Sequence, residues 1–239
     1  MLKIIGLIFL LIMTDAGYGY DRITGKPFAS RSEVIGQNGM VATSHPLATQ
    51  IGLDILKKGG TAIDAAIAAN IALGLMEPTG NGIGGDLFAI VWDAESKKLH
   101  GLNASGPAPK DISIDYFRDN DLEKIPSYGP LPVTVPGAVD GWIKLHKKFG
   151  KLEFRTLFEP AIAYAKNGFP VTETIAYYLK NSQKRFEKYP NFNDLWVKNG
   201  SMPAKGEIFK NPQLAKTLET IALKGREGFY EGEVANVMV

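Results

Sequence analysis

The 239-residue chain contains no cysteine and only three histidines. Without cysteine it can form no disulfide, no thiol nucleophile and no thiolate zinc site. The three histidines, His45, His100 and His146, are widely separated and lack the spacing of metal ligands. We therefore expect neither a metal site nor a cofactor.

The chain also lacks an excess of charge of either sign. It has 27 Lys and Arg residues against 25 Asp and Glu residues, a formal net charge of +2, and the two signs are interspersed. No basic stripe or nucleic-acid motif is present, so no nucleic-acid partner is expected. A group of four acidic residues lacks calcium-loop spacing and is interrupted by Arg118, which predicts a solvated helix face; its members are Asp111, Asp115, Asp119 and Asp121.

Long hydrophobic runs are limited to one, Ile4–Met13. Its ten residues are too few for a membrane-spanning helix, which needs about 20. Lys3 precedes the run, and Gly17 and Gly19 put small residues at the positions that a signal peptidase reads, a pattern typical of a signal peptide. We expect a signal peptide over 1–19, a polar leader over 20–38, a folded domain over 39–239, and a periplasmic or secreted product without a stable membrane anchor. The alternative is an uncleaved membrane tether.

Hydrophobic periodicity within the folded domain predicts an α+β protein. Strands are expected at 87–92 and 98–103, paired as a hairpin around 93–97. Residues 181–210 carry basic, proline and glycine residues among aromatics and predict a surface excursion. Helices are predicted over 46–58, 61–76, 138–149, 154–167, 172–180 and 212–224.

A glycine-rich turn over 78–86 joins the second predicted helix to the first predicted strand. Four of the six residues from Gly80 to Gly85 are glycine, which lets the backbone reach positive φ and lets another group approach closely. The order of helix, loop and strand is the reverse of the dinucleotide-binding fingerprint. The turn is either part of a binding site or a simple chain reversal.

Six blocks of this sequence, in the same order, resemble the γ-glutamyltranspeptidase family over nearly all of the chain after residue 38. They are GMVATSHPLA (39–48), GGTAIDAAIAAN (59–70), EPTGNGIGGD (77–86), VTVPGAVDGW (133–142), PAIAYAKNGFPV (160–171) and GFYEGEVA (228–235). The resemblance implies an N-terminal-nucleophile hydrolase with an αββα sandwich, made as a precursor that cuts itself into a large and a small subunit. It implies γ-glutamyltransferase or glutathione hydrolase activity on a small amide or γ-glutamyl substrate.

The blocks resemble the large subunit only, and no Thr-rich processing site appears before Val239, so we expect this sequence to be a truncated part of a longer precursor. In this family the nucleophile is the new N-terminal Thr of the small subunit, so no catalytic residue is expected in this chain. An internal Thr cannot use its own α-amino group as base; Thr43, Thr61, Thr79 and Thr134 are therefore interpreted as structural, with Thr61 a helix N-cap. The alternative is a noncatalytic exported scaffold of the same fold.

The resemblance places substrate contact at Asn103 and Ser105. In γ-glutamyl-transferring members the position aligned with Ser105 is an Arg that pairs with the substrate carboxylate. A hydroxyl offers one neutral hydrogen bond where a guanidinium offers a charged, two-point contact. The Asn-Ala-Ser-Gly stretch is similar to the acylase and amidohydrolase relatives of the family, which favours a different acyl group. Ser105 could equally be a turn residue before Gly106.

Overall fold

The computed structural model describes Gly25 and residues 34–238. The chain divides into Met1–Gln37 and Asn38–Val239. The predicted signal peptide over 1–19, and most of the predicted leader over 20–38, lie outside the described residues, so these assignments stay predictions. Among the helices of the described part, none is both long and apolar enough to cross a bilayer.

Helices are the main secondary structure of the described folded domain. The strands are β1 (Leu87–Asp93), β2 (Lys98–Ala104), β3 (Phe169–Pro170) and β4 (Ile208–Phe209). A 3-10 turn occupies Phe154–Leu157. The α-helices are α1 (Pro46–Lys57), α2 (Ala62–Met76), α3 (Ile114–Asp119), α4 (Ala138–Phe149), α5 (Glu159–Asn167), α6 (Glu173–Phe186), α7 (Phe192–Trp196), α8 (Pro212–Lys224), α9 (Glu227–Tyr230) and α10 (Gly232–Met238).

Local signals set the link between α1 and α2 and the start of α2. The Thr61 hydroxyl accepts a hydrogen bond from the Asp64 amide at 3.1 Å, and the Asp64 carboxylate accepts one from the Thr61 amide at 2.8 Å. This capping box confirms the predicted N-cap role of Thr61. Gly59, at φ 87°, supplies the left-handed residue that lets the chain leave α1 and enter α2.

Helix α2 lies at the centre of the hydrophobic core. It is rich in alanine and contacts α1, α4, α5 and the 3-10 turn. Small side chains allow this close approach on several sides, and an almost uncharged helix of this kind is buried on most faces. Trp142 of α4 and Phe158 pack edge to face beside it, with ring centroids 6.0 Å apart. Nine of its 15 residues are buried.

The hairpin β1–β2 has two unlike faces. Its antiparallel register runs from Leu87 opposite Ala104 to Asp93 opposite Lys98, and the face carrying Leu87, Ala89 and Val91 packs on the core, close to α4. Successive side chains of a strand point to opposite faces, so the alternate residues point away from that core. On that outward face Phe88, Ile90, Trp92 and Leu99 are 67%, 81%, 61% and 67% exposed.

Three sequence predictions differ from the structure. The helix predicted over 154–167 is a 3-10 turn followed by α5, because Pro160 lacks an amide proton and is accommodated only in the first helical turn. Helix α6 continues to Phe186, beyond the predicted end at 180.

The third prediction, a surface excursion over 181–210, is wrong in part. Phe209 and Met202 are buried, and the indole of Trp196 stacks on Phe209 with ring centroids 4.8 Å apart. Phe192, Trp196 and Phe209 of this stretch therefore pack in or against the core instead of lying in solvent. Of the acidic group, Asp115 and Asp119 lie on the short helix α3, and all four carboxylates are exposed.

Candidate functional site

The glycine-rich turn contacts a distant backbone segment, but its glycines do not adopt the positive φ that the sequence suggested. Gly80, Gly82, Gly84 and Gly85 all avoid the left-handed region, so the expected positive φ is wrong. The Gly85 carbonyl instead accepts hydrogen bonds from the Gly137 and Ala138 amides, both at 3.0 Å. The turn is thereby joined to the N-terminus of α4, where the first helical amides lack partners inside the helix.

A polar relay fixes the other side of the turn. The Trp142 indole donates to the Asn70 side-chain oxygen at 2.8 Å, and the Asn81 side-chain amide donates to the Asn70 carbonyl at 2.7 Å. The Asn70 side-chain amide also donates to the Asn81 side-chain oxygen at 3.3 Å. Two sequence-distant elements, α2 and α4, therefore position one residue of the turn.

The predicted substrate-contact residues Asn103 and Ser105 lie together at the end of β2. The Ser105 amide and hydroxyl both donate to the Asn103 side-chain oxygen, at 2.9 and 2.7 Å. Both side chains are exposed. A local Asn-to-amide bond of this kind is typical of a turn, and the exposed hydroxyl still has a free acceptor capacity. Substrate contact by these residues stays a prediction.

The segment 133–137 lies across this end of the hairpin. The Val135 amide donates to the Pro107 carbonyl at 2.9 Å. A Cβ on Gly106 would lie 1.4 Å from the Val135 carbonyl oxygen, and one on Gly137 would lie 2.0 Å from the Ala104 carbonyl oxygen. Both glycines are required because backbone passes backbone here without room for a methyl group.

Asp86 joins the same end of the hairpin and was not predicted as a site residue. The exposed carboxylate lies one residue before β1 and accepts a hydrogen bond of 3.4 Å from the Thr134 hydroxyl. Extending the alternation of β1 by one residue places Asp86 on the outward face with Phe88. The sequence held a signal for this position: Asp86, the last residue of the glycine-rich block, continues the two-residue alternation of the predicted strand that follows.

Tyr230 anchors the segment 133–137 from the opposite direction. Its hydroxyl donates to the Pro136 carbonyl at 2.7 Å and accepts from the Asp140 amide at 3.1 Å. Burial raises the pKa of the Tyr230 phenol. Burial of Asp140 opposes its ionisation, but the Lys144 and Arg226 cations outweigh this and lower the pKa of the Asp140 carboxyl.

Of the two remaining candidate threonines, Thr43 has structural partners, and no side-chain hydrogen bond of Thr79 is found among the described residues. The Thr43 hydroxyl contacts the His45 carbonyl at 2.8 Å and the Thr49 hydroxyl at 2.7 Å. Thr79 is exposed in the glycine-rich turn. Within the described part of the chain no three His, Asp or Glu side chains are grouped to hold a metal ion. What this site can supply chemically is hydrogen bonding and one carboxylate charge.

Comparison with known proteins gives consistent matches. The gamma-glutamyltranspeptidase family model matches residues 48–239. The glutathione hydrolase-like YwrD proenzyme of Bacillus subtilis is 38% identical over 207 residues, covering 86% of this chain and 39% of that protein. Cephalosporin acylase from Bacillus halodurans has a TM-score of 0.83 and 45% identity over 90% of this chain and 41% of its own. Helicobacter pylori gamma-glutamyltranspeptidase has a TM-score of 0.81 and 34% identity over 87% and 60%.

The chain therefore spans about two fifths of the length of the YwrD proenzyme. The solved structures confirm the predicted α+β class, with the chain forming part of an N-terminal-nucleophile hydrolase fold. The glycine-rich turn, the hairpin end and the start of α4 all fall inside the matched residues. Because the family model covers most of the sequence and the similarity extends to the three-dimensional structure, this chain belongs to the γ-glutamyltranspeptidase family.

Proposed function

We propose that this chain is the large-subunit part of a γ-glutamyltransferase or glutathione hydrolase-like enzyme. The precursor cleaves itself, and the small subunit supplies an N-terminal Thr. That Thr attacks the carbonyl carbon of the substrate amide while its own α-amino group takes the hydroxyl proton. The resulting α-ammonium group gives that proton to the leaving amine as the C–N bond breaks. Water or an acceptor amine then takes the acyl group from the Thr oxygen and loses a proton, which restores the Thr hydroxyl.

The observation that carries this proposal is the outward face of the hairpin β1–β2. Phe88, Ile90, Trp92 and Leu99 present contiguous apolar side chains there, which is unusual for a surface in contact with water. A sandwich architecture requires a second sheet on this face. The small subunit is the proposed source of that sheet, and its arrival brings the Thr to the polar end of the face.

The polar end has the chemistry to receive a substrate. Asp86, Asn103 and Ser105 provide a carboxylate, an amide and a hydroxyl at the rim of the apolar face. The glycine-rich turn is held by hydrogen bonds from the Gly137 and Ala138 amides to the Gly85 carbonyl, and the segment 133–137 by the bond from the Val135 amide to the Pro107 carbonyl. Binding groups held this way before substrate arrives lose little entropy on binding.

A related amidohydrolase or acylase of the same family is the second candidate. Ser105, in place of the carboxylate-pairing Arg, favours it, because the strongest contact to a γ-glutamyl carboxylate is missing. The similarity to a cephalosporin acylase supports this candidate as well.

The test is expression of the whole reading frame from Met1 to its stop codon, compared with residues 20–239 alone. We expect the whole product to yield two subunits and to hydrolyse an acyl anilide, and residues 20–239 to be inactive. Replacing the newly exposed Thr by Ala should abolish both cleavage and turnover. Turnover by residues 20–239 alone, or a stop codon directly after Val239 with no separate small subunit, would contradict the proposal and favour a noncatalytic scaffold.

Export to the periplasm or the medium is part of the same proposal. The basic tip, the short apolar run Ile4–Met13 and the small residues near Gly19 support it. N-terminal sequencing of the exported protein should begin near Tyr20. Recovery of Met1 from a cytoplasmic fraction would contradict it.

A further inference from the structure

We propose that Asp86 determines acyl specificity, so that the site favours amides whose acyl group carries an ammonium group and disfavours those with only a carboxylate. The inference rests on the proposed function, because it needs the acyl group to lie at the polar end of the hairpin face. It goes beyond that function by assigning a residue and a substrate charge.

The first step is position. The hairpin pair at this end is Leu87 opposite Ala104. Asp86 directly precedes Leu87 and Ser105 directly follows Ala104, so both residues lie at the same end of the hairpin. Asn103 lies opposite Phe88 on the outward face. Strand alternation puts Asp86, Asn103 and Ser105 on that same face. Hydrogen bonds hold the backbone on both sides of these residues: the Gly85 carbonyl accepts from the amides at the start of α4, and the Pro107 carbonyl accepts from the Val135 amide.

The second step is charge. Throughout the part of the chain that the structure describes, no Lys, Arg or His forms an ion pair with Asp86. Its described side-chain partner is the Thr134 hydroxyl, a neutral donor at 3.4 Å. A carboxylate with one long neutral bond retains most of its capacity to accept further hydrogen bonds.

The third step concerns the neighbours of this carboxylate. The Ser105 hydroxyl donates to Asn103, and the Asn103 side-chain oxygen accepts twice from Ser105. Neither residue carries a positive charge to offset Asp86. A substrate ammonium would gain a charge-assisted hydrogen bond here, whereas a substrate carboxylate would meet like charge without a cation.

Four p-nitroanilides separate these effects, because they differ only in what the fourth acyl carbon carries. Butanoyl anilide carries no charged group, the 4-aminobutanoyl compound adds an ammonium, the glutaryl compound adds a carboxylate and the γ-glutamyl compound adds both. With enzyme expressed from the whole reading frame, and blanks for spontaneous cyclisation, we expect KM to be about tenfold lower for 4-aminobutanoyl than for butanoyl, and higher for glutaryl.

The substitution Asp86→Asn should remove the advantage of the ammonium and reduce the penalty of the carboxylate. Asp86→Glu should restore the preference for the ammonium, since it keeps the charge. Glu95→Gln, in the turn at the far end of the same hairpin, is the matched control and should change none of the four KM values.

The outcomes are distinguishable. If the wild-type enzyme hydrolyses the anilides without regard to charge, or prefers glutaryl, the role of Asp86 is overturned while the proposed function stands. The same holds if Asp86→Asn keeps the full preference for the ammonium. If a processed enzyme hydrolyses none of the four compounds, the proposed function fails and this inference fails with it.

Discussion

The Trp142 indole nitrogen lies 2.8 Å from the side-chain oxygen of Asn70, and this bond connects the core to the glycine-rich turn. Trp142 belongs to α4 and is 1% exposed. Asn70 belongs to α2 and receives the Asn81 side chain on its backbone carbonyl. A buried tryptophan usually satisfies its indole N–H, and here the partner is also the anchor of a loop.

Trp142→Phe should therefore destabilise the protein by about 1–3 kcal/mol, because it leaves the Asn70 oxygen without its donor and removes buried volume. Denaturant unfolding measures the loss. A double-mutant cycle with Asn70→Ala should give a coupling of about 0.5–3 kcal/mol. Thr79→Ala, in the same turn and exposed, is the control and should be close to neutral. Strict additivity of Trp142→Phe and Asn70→Ala would argue against the relay.

Tyr230→Phe isolates the two hydrogen bonds that hold the segment 133–137. The ring is retained while the bonds to the Pro136 carbonyl and the Asp140 amide are lost, so we expect destabilisation of about 1–2 kcal/mol. Hydrogen exchange should increase at the amides of residues 135–140 in particular. Tyr177→Phe is the matched control, since no hydrogen bond of its hydroxyl is found among the described residues. Equal effects of the two substitutions would show that the Tyr230 hydroxyl has no specific role.

His45 should make stability depend on pH. Its side chain is 1% exposed, its Nδ1 accepts from the Leu47 amide as the N-cap of α1, and burial lowers its pKa, an effect that the Glu77 carboxylate only partly offsets. The unfolded chain then binds the proton more readily than the folded one. The full stability should be present above the unfolded pKa of about 6.5 and should decline as the pH falls below it.

Thermal unfolding measured between about pH 7.5 and 5 tests this dependence. His45→Asn keeps a side-chain acceptor at the N-cap and removes the titrating group, so its melting temperature should fall less over the same range. The same slope in both proteins would assign the pH dependence to other groups.

Ser105→Arg tests the predicted carboxylate position in the processed enzyme. An added guanidinium should lower the KM for glutaryl and γ-glutamyl anilides by roughly tenfold, equivalent to about 1.4 kcal/mol, because it offers a charge-assisted, two-point contact. Ser105→Ala is the companion variant, and circular dichroism checks that both are folded. If both folded variants have unchanged kinetics, Ser105 is a turn residue and its alignment with the substrate site is wrong.

The sequence by itself determined the features that depend on residues close together in the chain. Thr61 and Asp64 lie three residues apart and form the capping box at the start of α2, which needs no distant partner. The hairpin followed from two alternating runs around 93–97, and its pairing agrees with the prediction. The family blocks are likewise contiguous, which is why the family could be identified from the sequence alone.

Tertiary structure decided what depends on residues far apart in the chain. Phe209 is buried because it pairs with Phe169 in a short sheet and receives Trp196 on its ring, contacts that periodicity cannot encode. The Gly85 carbonyl of the turn accepts hydrogen bonds from the Gly137 and Ala138 amides, some 50 residues later, and none of the turn's four glycines adopts a positive φ. Asp86 likewise accepts a hydrogen bond from Thr134, which lies 48 residues later in the chain. The sequence predicted a site at the hairpin end, but only the tertiary fold brought the Asp86 carboxylate and the segment 133–137 to it, because these contacts join residues far apart in the chain.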